Sequence, residues 1–279
     1  MARFEPEPIL RLEDKSCWAT WWKTACVHSR SIRFRRRLNQ AQRVVDQCLS
    51  QCENTAVMWS GGKDSTVLAH LVTRMDPSVS LVSEKDDLDY PGERDYVEGL
   101  AEHWSAQLEV ITPQISPCDW IDQNAHLLNA DDDFHSRAAE LSKACFYGLV
   151  EEANAGRDAV FLGLRKGESR GRMMNRITRG LLYRKRPTEW NPSGLTVCTP
   201  LGDWSGLDVY AYLARYAIDP LPVYRCVWLN HREEPWRVRK SWWIPGADSR
   251  WGGIAWLRHY WPSLYQRLLD WWPMARRLT

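Results

Sequence analysis

From residue 56 to residue 162, short apolar runs alternate with longer amphipathic segments. The apolar runs occupy residues 56–59, 79–82, 108–112 and 159–162, and each has the length of a buried strand. The segments between them have the apolar spacing of helices. One ends near residue 74, and the others span residues 92–105 and 134–154. Strands that alternate with helices predict a parallel sheet with right-handed crossovers and covered faces. The sequence therefore predicts an α/β fold with a doubly wound parallel sheet.

The loops that follow the predicted strands carry the polar residues that bear on function. In sheets of this kind, ligands bind beyond the carboxyl ends of the strands. Residues 60–65, 84–91 and 163–172 are therefore expected on one rim of the sheet. We predict that the functional site lies on this rim.

The first of these loops has the composition of a phosphate-binding turn. It reads Ser60-Gly61-Gly62-Lys63-Asp64-Ser65 and lies between a predicted strand and a predicted helix. The two glycines let the backbone turn tightly, helix-terminal N–H groups bind oxyanions, and the lysine adds a positive charge. The loop is not a Walker A sequence, because that pattern needs Gly at position 57 and Ser or Thr at position 64, where the chain has Val57 and Asp64.

The net charge of +2 conceals a segregation of charge along the chain. Residues 56–162 contain 7 Lys or Arg against 20 Asp or Glu, whereas residues 163–186 contain 9 against 1. Because electrostatic steering depends on where charge lies, the basic segment indicates a local anionic ligand. Its outer part is either a solvated face or a surface for a larger anion, with Tyr183 and Trp190 available for stacking. This outer part consists of Arg170, Arg172, Arg176, Arg179, Arg184, Lys185 and Arg186.

Three motifs in this order resemble those of a known superfamily. The SGGKDS segment at 60–65 resembles the PP-loop of ATP pyrophosphatases, the adenine nucleotide alpha-hydrolase superfamily. Residues 163–172 resemble the GxRxxES motif of its sulfonucleotide (PAPS) reductase branch. Residues 200–204 and 208–213, followed by Pro222 and Tyr224, are similar to a further segment of that branch. The resemblance covers residues 53–226.

The resemblance implies a five-stranded parallel sheet that binds a nucleotide, either ATP or a PAPS-like molecule. The implied binding residues are Ser60, Gly61, Gly62, Lys63, Asp64, Ser65, Gly163, Arg165, Glu168, Ser169 and Arg172. Lys63, Asp64 and Arg165 are the implied catalytic residues, because in ATP-using members the loop holds the pyrophosphate end and leaves the α-phosphate open to attack. Lys63 and the loop N–H groups would then stabilise the departing pyrophosphate, and Arg165 would pair with the phosphates. Mg²⁺ is expected to share the phosphate charge with the help of Asp64, and Glu168 is expected to orient Arg165 or Lys63.

The chain departs from the reductases of this branch at their nucleophilic cysteine. It has no Glu-Cys-Gly-Leu/Ile-His segment, no Cys-Cys pair and no CxxC pair, and its last cysteine is Cys226. The leading hypothesis is therefore an enzyme that cleaves ATP between the α and β phosphates and adenylates a nucleic acid or a nucleotide-like acceptor, with sulfur transfer as one form of this chemistry. The alternatives are a PAPS reductase-like enzyme that uses Cys226 and a non-catalytic nucleotide-binding partner subunit.

The remaining expectations concern cofactors, location and partners. Cys118, Cys145 and Cys198 could converge as ligands, but their spacing gives no support, so we do not expect an iron–sulfur cluster. No run approaches the about 18 apolar residues of a membrane helix, and residues 1–10 lack the pattern of a signal peptide. We therefore expect a cytoplasmic protein with no membrane partner, either as a homodimer or with a partner enzyme.

The resemblance leaves both ends of the chain uncovered and so divides it into three parts. Residues 1–52 are expected to be a basic helical appendage, helical over 16–52, and residues 53–226 a PP-loop nucleotide-binding domain. Residues 227–279 are an extension that contains nine of the 17 tryptophans. These tryptophans either pack on the core as a helical lid or form a stacking surface for nucleic acid together with basic residues. The basic residues concerned are Arg237, Arg239, Lys240, Arg250 and Arg258.

Overall fold

The computed structural model describes residues 7–85, 87, 92–130, 145, 149, 151–187, 194–226 and 253–278. Its strands are β1 (Thr55–Met58), β2 (Ser80–Glu84), β3 (Leu108–Ile111), β4 (Ala159–Phe161), β5 (Leu182–Arg184) and β6 (Thr196–Cys198). Its helices are α1 (Leu12–His28), α2 (Ile32–Leu49), α3 (Lys63–Met75), α4 (Glu93–His103), α5 (Pro117–Ala130), α6 (Arg170–Arg179), α7 (Gly206–Arg215), α8 (Gly253–Tyr260) and α9 (Pro262–Trp271).

The described strands form one six-stranded sheet in the order β3-β2-β1-β4-β6-β5. Five of them run parallel, and β5 pairs antiparallel with β6 at the edge. The predicted α/β fold with a doubly wound parallel sheet is therefore confirmed, and β5 is an antiparallel addition to the five parallel strands. The chain direction across the sheet reverses between β1 and β4. In open α/β sheets such a reversal opens a crevice for ligands at the carboxyl ends of the two strands.

Both faces of the sheet are covered by apolar side chains. Successive residues of a strand point to opposite faces, so Val57 and Phe161 lie in one core cluster while Ala56 and Val160 lie on the other side. The first cluster is the larger and receives buried residues from α1, α2, α3, α4 and α7. These helices hold the carboxyl ends of β1 and β4 in fixed positions on the rim of the sheet.

The predicted helix over residues 16–52 is two helices, α1 and α2. The break lies at residues 29–31, where Ser31 adopts an extended conformation and its side chain accepts a hydrogen bond from the N–H of Phe34. Serine favours such N-terminal caps because its oxygen satisfies an otherwise unpaired N–H group. Residues 28–31 read His-Ser-Arg-Ser and contain no apolar residue, and a serine before an apolar run is the sequence signal that could have revealed the break. His28, at the end of α1, bonds to the buried carboxylate of Asp208 in α7.

The core strands β1 to β4 lie within one or two residues of their predicted positions, but helix α5 was not predicted. Its sequence begins with Pro117, which suits the first turn of a helix, and Ile121, Ala125 and Leu128 have helical spacing, so the sequence carried a signal for it. The helix predicted over 134–154 falls mostly outside the described residues, although residues 151–154 are helical.

The C-terminal helices α8 and α9 pack against the rest of the chain. Trp261 and Trp272 are buried in a second apolar cluster that also contains Tyr224 and Cys226. The Tyr260 hydroxyl donates a hydrogen bond of 2.8 Å to Oδ1 of Asp14 in α1. The packing interpretation therefore holds for these two tryptophans, whereas residues 227–252, with the remaining tryptophans up to Trp251, lie outside the described residues. None of the described helices is long and apolar enough to cross a membrane.

Candidate functional site

The loop between β1 and α3 makes a tight turn that depends on its glycines. Gly61 has φ +70°, a left-handed conformation that favours glycine, and a Cβ there would lie 3.1 Å from Cγ2 of Val97. Gly62 precedes the first residue of α3 in extended conformation. The hydroxyl oxygens of Ser60 and Ser65 are 3.1 Å apart, and the Ser65 hydroxyl is 3.0 Å from the carbonyl oxygen of Gly62. These bonds hold a tight turn at the start of a helix.

The loop after β4 touches the start of α3. A Cβ on Gly163 would lie 2.9 Å from the backbone nitrogen of Ser65 and 3.0 Å from the carbonyl carbon of Asp64. Real Cβ atoms do not approach backbone this closely, so glycine at 163 is required for the contact. The contact lies where the sheet order reverses, and it brings residues 163–172 alongside the phosphate loop.

Three charged side chains meet at this contact and form what we call the charge cluster: Lys63, Asp64 and Arg165. The Lys63 ammonium donates to Oδ2 of Asp64 at 2.7 Å, and Nε of Arg165 donates to Oδ1 of the same carboxylate at 2.5 Å. The side chains of Lys63 and Arg165 are each 3% exposed, and that of Asp64 is 14% exposed. Two buried cations therefore share the Asp64 carboxylate beside the phosphate loop.

Burial and charge act in opposite directions within the charge cluster. Burial lowers the pKa of Lys63, although the Asp64 carboxylate opposes this shift. Burial would raise the pKa of Asp64, but the charges of Lys63 and Arg165 outweigh it and hold that pKa below its ordinary value. Asp64 is therefore ionised at neutral pH, and an anion that enters the site would meet its two cationic partners.

Glu168 extends the charge cluster toward α6. One of its oxygens accepts from the backbone N–H of Arg165 at 2.9 Å and also from the Arg172 guanidinium. The other is 3.4 Å from a terminal nitrogen of Arg165. Glu168 thus contacts Arg165, one of the two partners that the sequence predicted for it. Ser169 accepts from the N–H of Arg172 and so caps the start of α6.

Tyr224 belongs to the site and was not among the predicted site residues. Its hydroxyl oxygen accepts from the backbone N–H of Lys63 at 3.0 Å, and its ring centroid lies 5.2 Å from the Lys63 ammonium. Burial, reinforced by the nearby Asp64 charge, raises the pKa of Tyr224 well above its ordinary value, so the phenol stays protonated. The signal in the sequence was Pro222 with Tyr224 in the third similar segment, but nothing in the sequence indicated contact with residue 63.

The predicted cysteines do not meet at this site. Cys198 lies in β6 within the first core cluster, near Cys48, whereas Cys118 and Cys145 belong to the second cluster. Cys226 is fully buried, and burial raises the pKa of its thiol far above its ordinary value. Across the described part of the chain, no three His, Cys, Asp or Glu side chains are grouped so that they could hold a metal ion.

Comparison with known proteins agrees with this architecture. The chain is 26% identical over 234 residues to sulfate adenylyltransferase subunit 2 of Streptomyces lavendulae, covering 77% of this chain and 68% of that protein. It is 25% identical over 178 residues to phosphoadenosine 5'-phosphosulfate reductase of Xanthomonas campestris pv. campestris, covering 62% of this chain and 66% of that protein. The chain thus spans about two thirds of the length of these relatives.

A solved structure shows the same fold. The phosphoadenylyl-sulfate reductase of Candida auris, solved as a phosphate complex, matches 70% of this chain and 86% of its own chain with a TM-score of 0.51 and 18% identity. The model of the phosphoadenosine phosphosulfate reductase domain matches residues 54–227, which include the phosphate loop, Arg165 and Tyr224. On this match, which spans more than half of the sequence, the chain belongs to the phosphoadenosine phosphosulfate reductase domain family.

Proposed function

We propose that this protein binds ATP at the phosphate loop, cleaves it between the α and β phosphates and transfers AMP to an acceptor that is a nucleic acid or a nucleotide-like molecule. The observation that carries the proposal is the charge cluster, in which Lys63 and Arg165 converge on Asp64 beside the start of α3. A nucleotide has its highest charge density at its phosphates, and two buried cations beside the N-terminus of a helix are suited to that end of the molecule.

The proposed reaction forms one bond and breaks one. An oxygen of the acceptor attacks the α-phosphorus, the bond from that phosphorus to the bridging oxygen breaks, and pyrophosphate leaves with the electron pair. Negative charge grows on the departing pyrophosphate, where Lys63 and the N–H groups at the start of α3 would stabilise it. Arg165 would pair with phosphate oxygens, held in orientation by Glu168 at its backbone N–H and guanidinium. Tyr224 would hold the loop through its bond to residue 63.

Mg²⁺ commonly binds through one or two carboxylates together with the phosphates of a substrate. Asp64 is the carboxylate beside the phosphate loop, but both of its oxygens already accept from cations. This arrangement does not fit a direct bond between Asp64 and a metal ion. The proposed roles of Lys63 and Arg165 do not depend on a metal ion bound to Asp64.

Two observations favour adenylyl transfer over thiol-based reduction. Cys226, the thiol that a reductase mechanism would require, is fully buried with a raised pKa, and only the thiolate is a competent nucleophile. The first of the relatives above is named as an adenylyltransferase and as a subunit. Its name makes sulfate a second candidate acceptor and supports the expectation of a partner enzyme.

The test follows α-labelled ATP with the purified protein and three acceptors in parallel: nucleic acid, a free nucleotide and sulfate. We expect release of pyrophosphate with label transferred to one acceptor, and loss of both in Lys63→Ala. Lys15→Ala, an exposed change in α1, is the matched control and should retain activity. The proposal is refuted if no acceptor gives pyrophosphate and Lys63→Ala binds ATP as tightly as the unchanged protein.

A further inference from the structure

Two basic segments that are far apart in the sequence meet in the structure at Asp203. Oδ2 of Asp203 accepts from Arg176 in α6 at 2.6 Å and from Gln40 in α2 at 3.3 Å. Oδ1 accepts from Lys166 at 2.9 Å. Gln40 in turn accepts from the Arg37 guanidinium at 3.3 Å. Asp203 therefore links α2 to α6 through one side chain of each helix, a connection that the sequence pattern does not indicate.

The helix faces that meet at Asp203 are lined with arginine. Residues three, four and seven apart share one face of a helix, so Arg33, Arg36 and Arg37 lie on the same face of α2 as Gln40. By the same rule, Arg172 and Arg179 lie on the face of α6 that carries Arg176. We call these six arginines the α2–α6 basic surface. Neither helix contains a carboxylate on this stretch, since the sequence has no Asp or Glu over 29–45 or 169–187.

Part of this charge has no counter-ion among the residues that the structure describes. Arg33, Arg36 and Arg179 are exposed, and none of them forms an ion pair with a residue that the structure describes. Among the described residues, two carboxylates contact the surface, Asp203 and Glu168. Like charges packed this closely repel one another, and they lower the stability of the protein unless an anionic ligand offsets them.

Helix α6 contributes little to the core. None of its residues is buried, and Met173 and Ile177 are 43% and 68% exposed beside the arginines. A helix that exists only to complete the fold would turn such side chains inward. A polynucleotide offers the chemistry that this helix displays, because its phosphates pair with arginine and its bases present flat apolar faces.

The α2–α6 basic surface is connected to the charge cluster. Arg172 contacts Glu168, Glu168 contacts Arg165, and Arg165 contacts Asp64. A polynucleotide strand bound along the surface would therefore lie next to the phosphate loop. The 10-residue α6 alone is about 15 Å long, and a nucleic-acid strand in B-form has one phosphate for about every 3.4 Å of axis.

We propose that the α2–α6 basic surface binds the sugar–phosphate backbone of a polynucleotide and delivers it to the phosphate loop. The role of the strand as acceptor rests on the proposed function, whereas its binding does not. Because the contacts are to backbone phosphates, binding depends on charge and on salt and not on base sequence.

The experiment measures fluorescence anisotropy of labelled 30-nucleotide single strands and duplexes of mixed sequence, without ATP, at about 50 and 200 mM salt. The variants are Arg33→Gln/Arg36→Gln in α2 and Arg179→Gln in α6. The matched control is Lys15→Gln/Arg267→Gln, which removes two exposed charges near the start of α1 and in α9. Lys15 lies about 20 Å along α1 from its end, where α2 follows. Circular dichroism and thermal unfolding check that each variant is folded.

We expect binding that weakens as salt rises. The α2 double variant should reduce the slope of log K against log salt by about 1.4 to 1.8, the value for two lost phosphate contacts, and weaken binding tenfold or more at low salt. Arg179→Gln should reduce the slope by about half as much. The control should bind as the unchanged protein does.

Three results would overturn the proposal: no binding at 50 mM salt, equal weakening in the surface and control variants, or poly-glutamate competing as well as the polynucleotide. The last would assign the surface to an acidic protein. These outcomes are separate from a failure of the proposed function. If the polynucleotide binds but no pyrophosphate is released, the proposed reaction is contradicted and the proposed binding surface is not. If pyrophosphate is released with a small acceptor but no polynucleotide binds, the proposed binding surface is contradicted and the proposed reaction is not.

Discussion

Asp64→Asn is the substitution that separates the structural role of the charge cluster from its role in binding. The variant keeps the size of the side chain and removes its charge. Lys63, which is almost fully buried, then loses its carboxylate partner, and Arg165 keeps Glu168, at 3.4 Å, as a counter-ion. We expect a less stable protein in the absence of ligand and a larger stabilising effect of an added polyanion, because pyrophosphate supplies the missing negative charge.

The magnitude follows from the geometry. Removing one partner of a buried ion pair costs about 3–5 kcal/mol. The asparagine oxygen can still accept from one of the two cations, so the lower end, about 3 kcal/mol of unfolding free energy, is expected. A ligand at one hundred times its dissociation constant stabilises a folded protein by about 2.7 kcal/mol, and pyrophosphate should stabilise the variant more than the unchanged protein.

The assay is urea unfolding followed by fluorescence, with and without pyrophosphate. Glu98→Gln is the control, since its ion pair with Arg94 on α4 is exposed and should contribute less than about 1 kcal/mol. The reasoning is wrong if Asp64→Asn loses less than 1 kcal/mol, or if pyrophosphate stabilises the variant no more than it stabilises the unchanged protein.

The stability difference between the unchanged protein and Asp64→Asn should also depend on pH. The pKa of Asp64 is lower in the folded protein than its ordinary value, so its ionisation stabilises the fold above that ordinary value. This contribution is lost as the pH falls through the lowered pKa. The stability difference between the unchanged protein and Asp64→Asn should therefore be largest near neutral pH and disappear on acidification, as urea titrations from pH 7 to acid would measure.

Three further substitutions test the site. Gly163→Ala should weaken ATP binding at least tenfold in calorimetry, because its Cβ would lie 2.9 Å from the Ser65 nitrogen, whereas Gly167→Ala, with nothing within 4 Å, should not. Tyr224→Phe removes the acceptor for a buried N–H and should cost about 1–3 kcal/mol of unfolding free energy, with weaker ATP binding; unchanged stability would contradict this. Cys226→Ser should retain pyrophosphate release, and loss of release in a folded variant would favour the thiol mechanism.

The sequence predicted the parts of the fold that depend on local pattern. The strands from residue 56 to residue 162 are short apolar runs, and the glycines of the phosphate loop mark a turn that other residues resist. The break between α1 and α2 was missed although Ser31 is a residue type that favours a helix start. Strand β5 was also missed, since it has only three residues and pairs at the edge of the sheet.

The site could be predicted only in part. The order of strands and loops placed Lys63, Asp64 and Arg165 on one rim, and the structure brings these three into contact. Tyr224 lay in a similar segment, but its bond to residue 63 depends on how the C-terminal part of the domain folds back over the loop. A contact across 161 positions of sequence leaves no periodic signal in the chain.

The sequence by itself determined the α/β class, the phosphate loop and the segregation of basic residues into two blocks, because each of these is a property of neighbouring residues. Only the tertiary structure decided that the two basic blocks form one surface. That result depends on Asp203, whose carboxylate accepts from α2 through Gln40 and from α6 through Arg176. Charges that are distant along the chain become one electrostatic feature only when folding brings them close together in space, where their fields add.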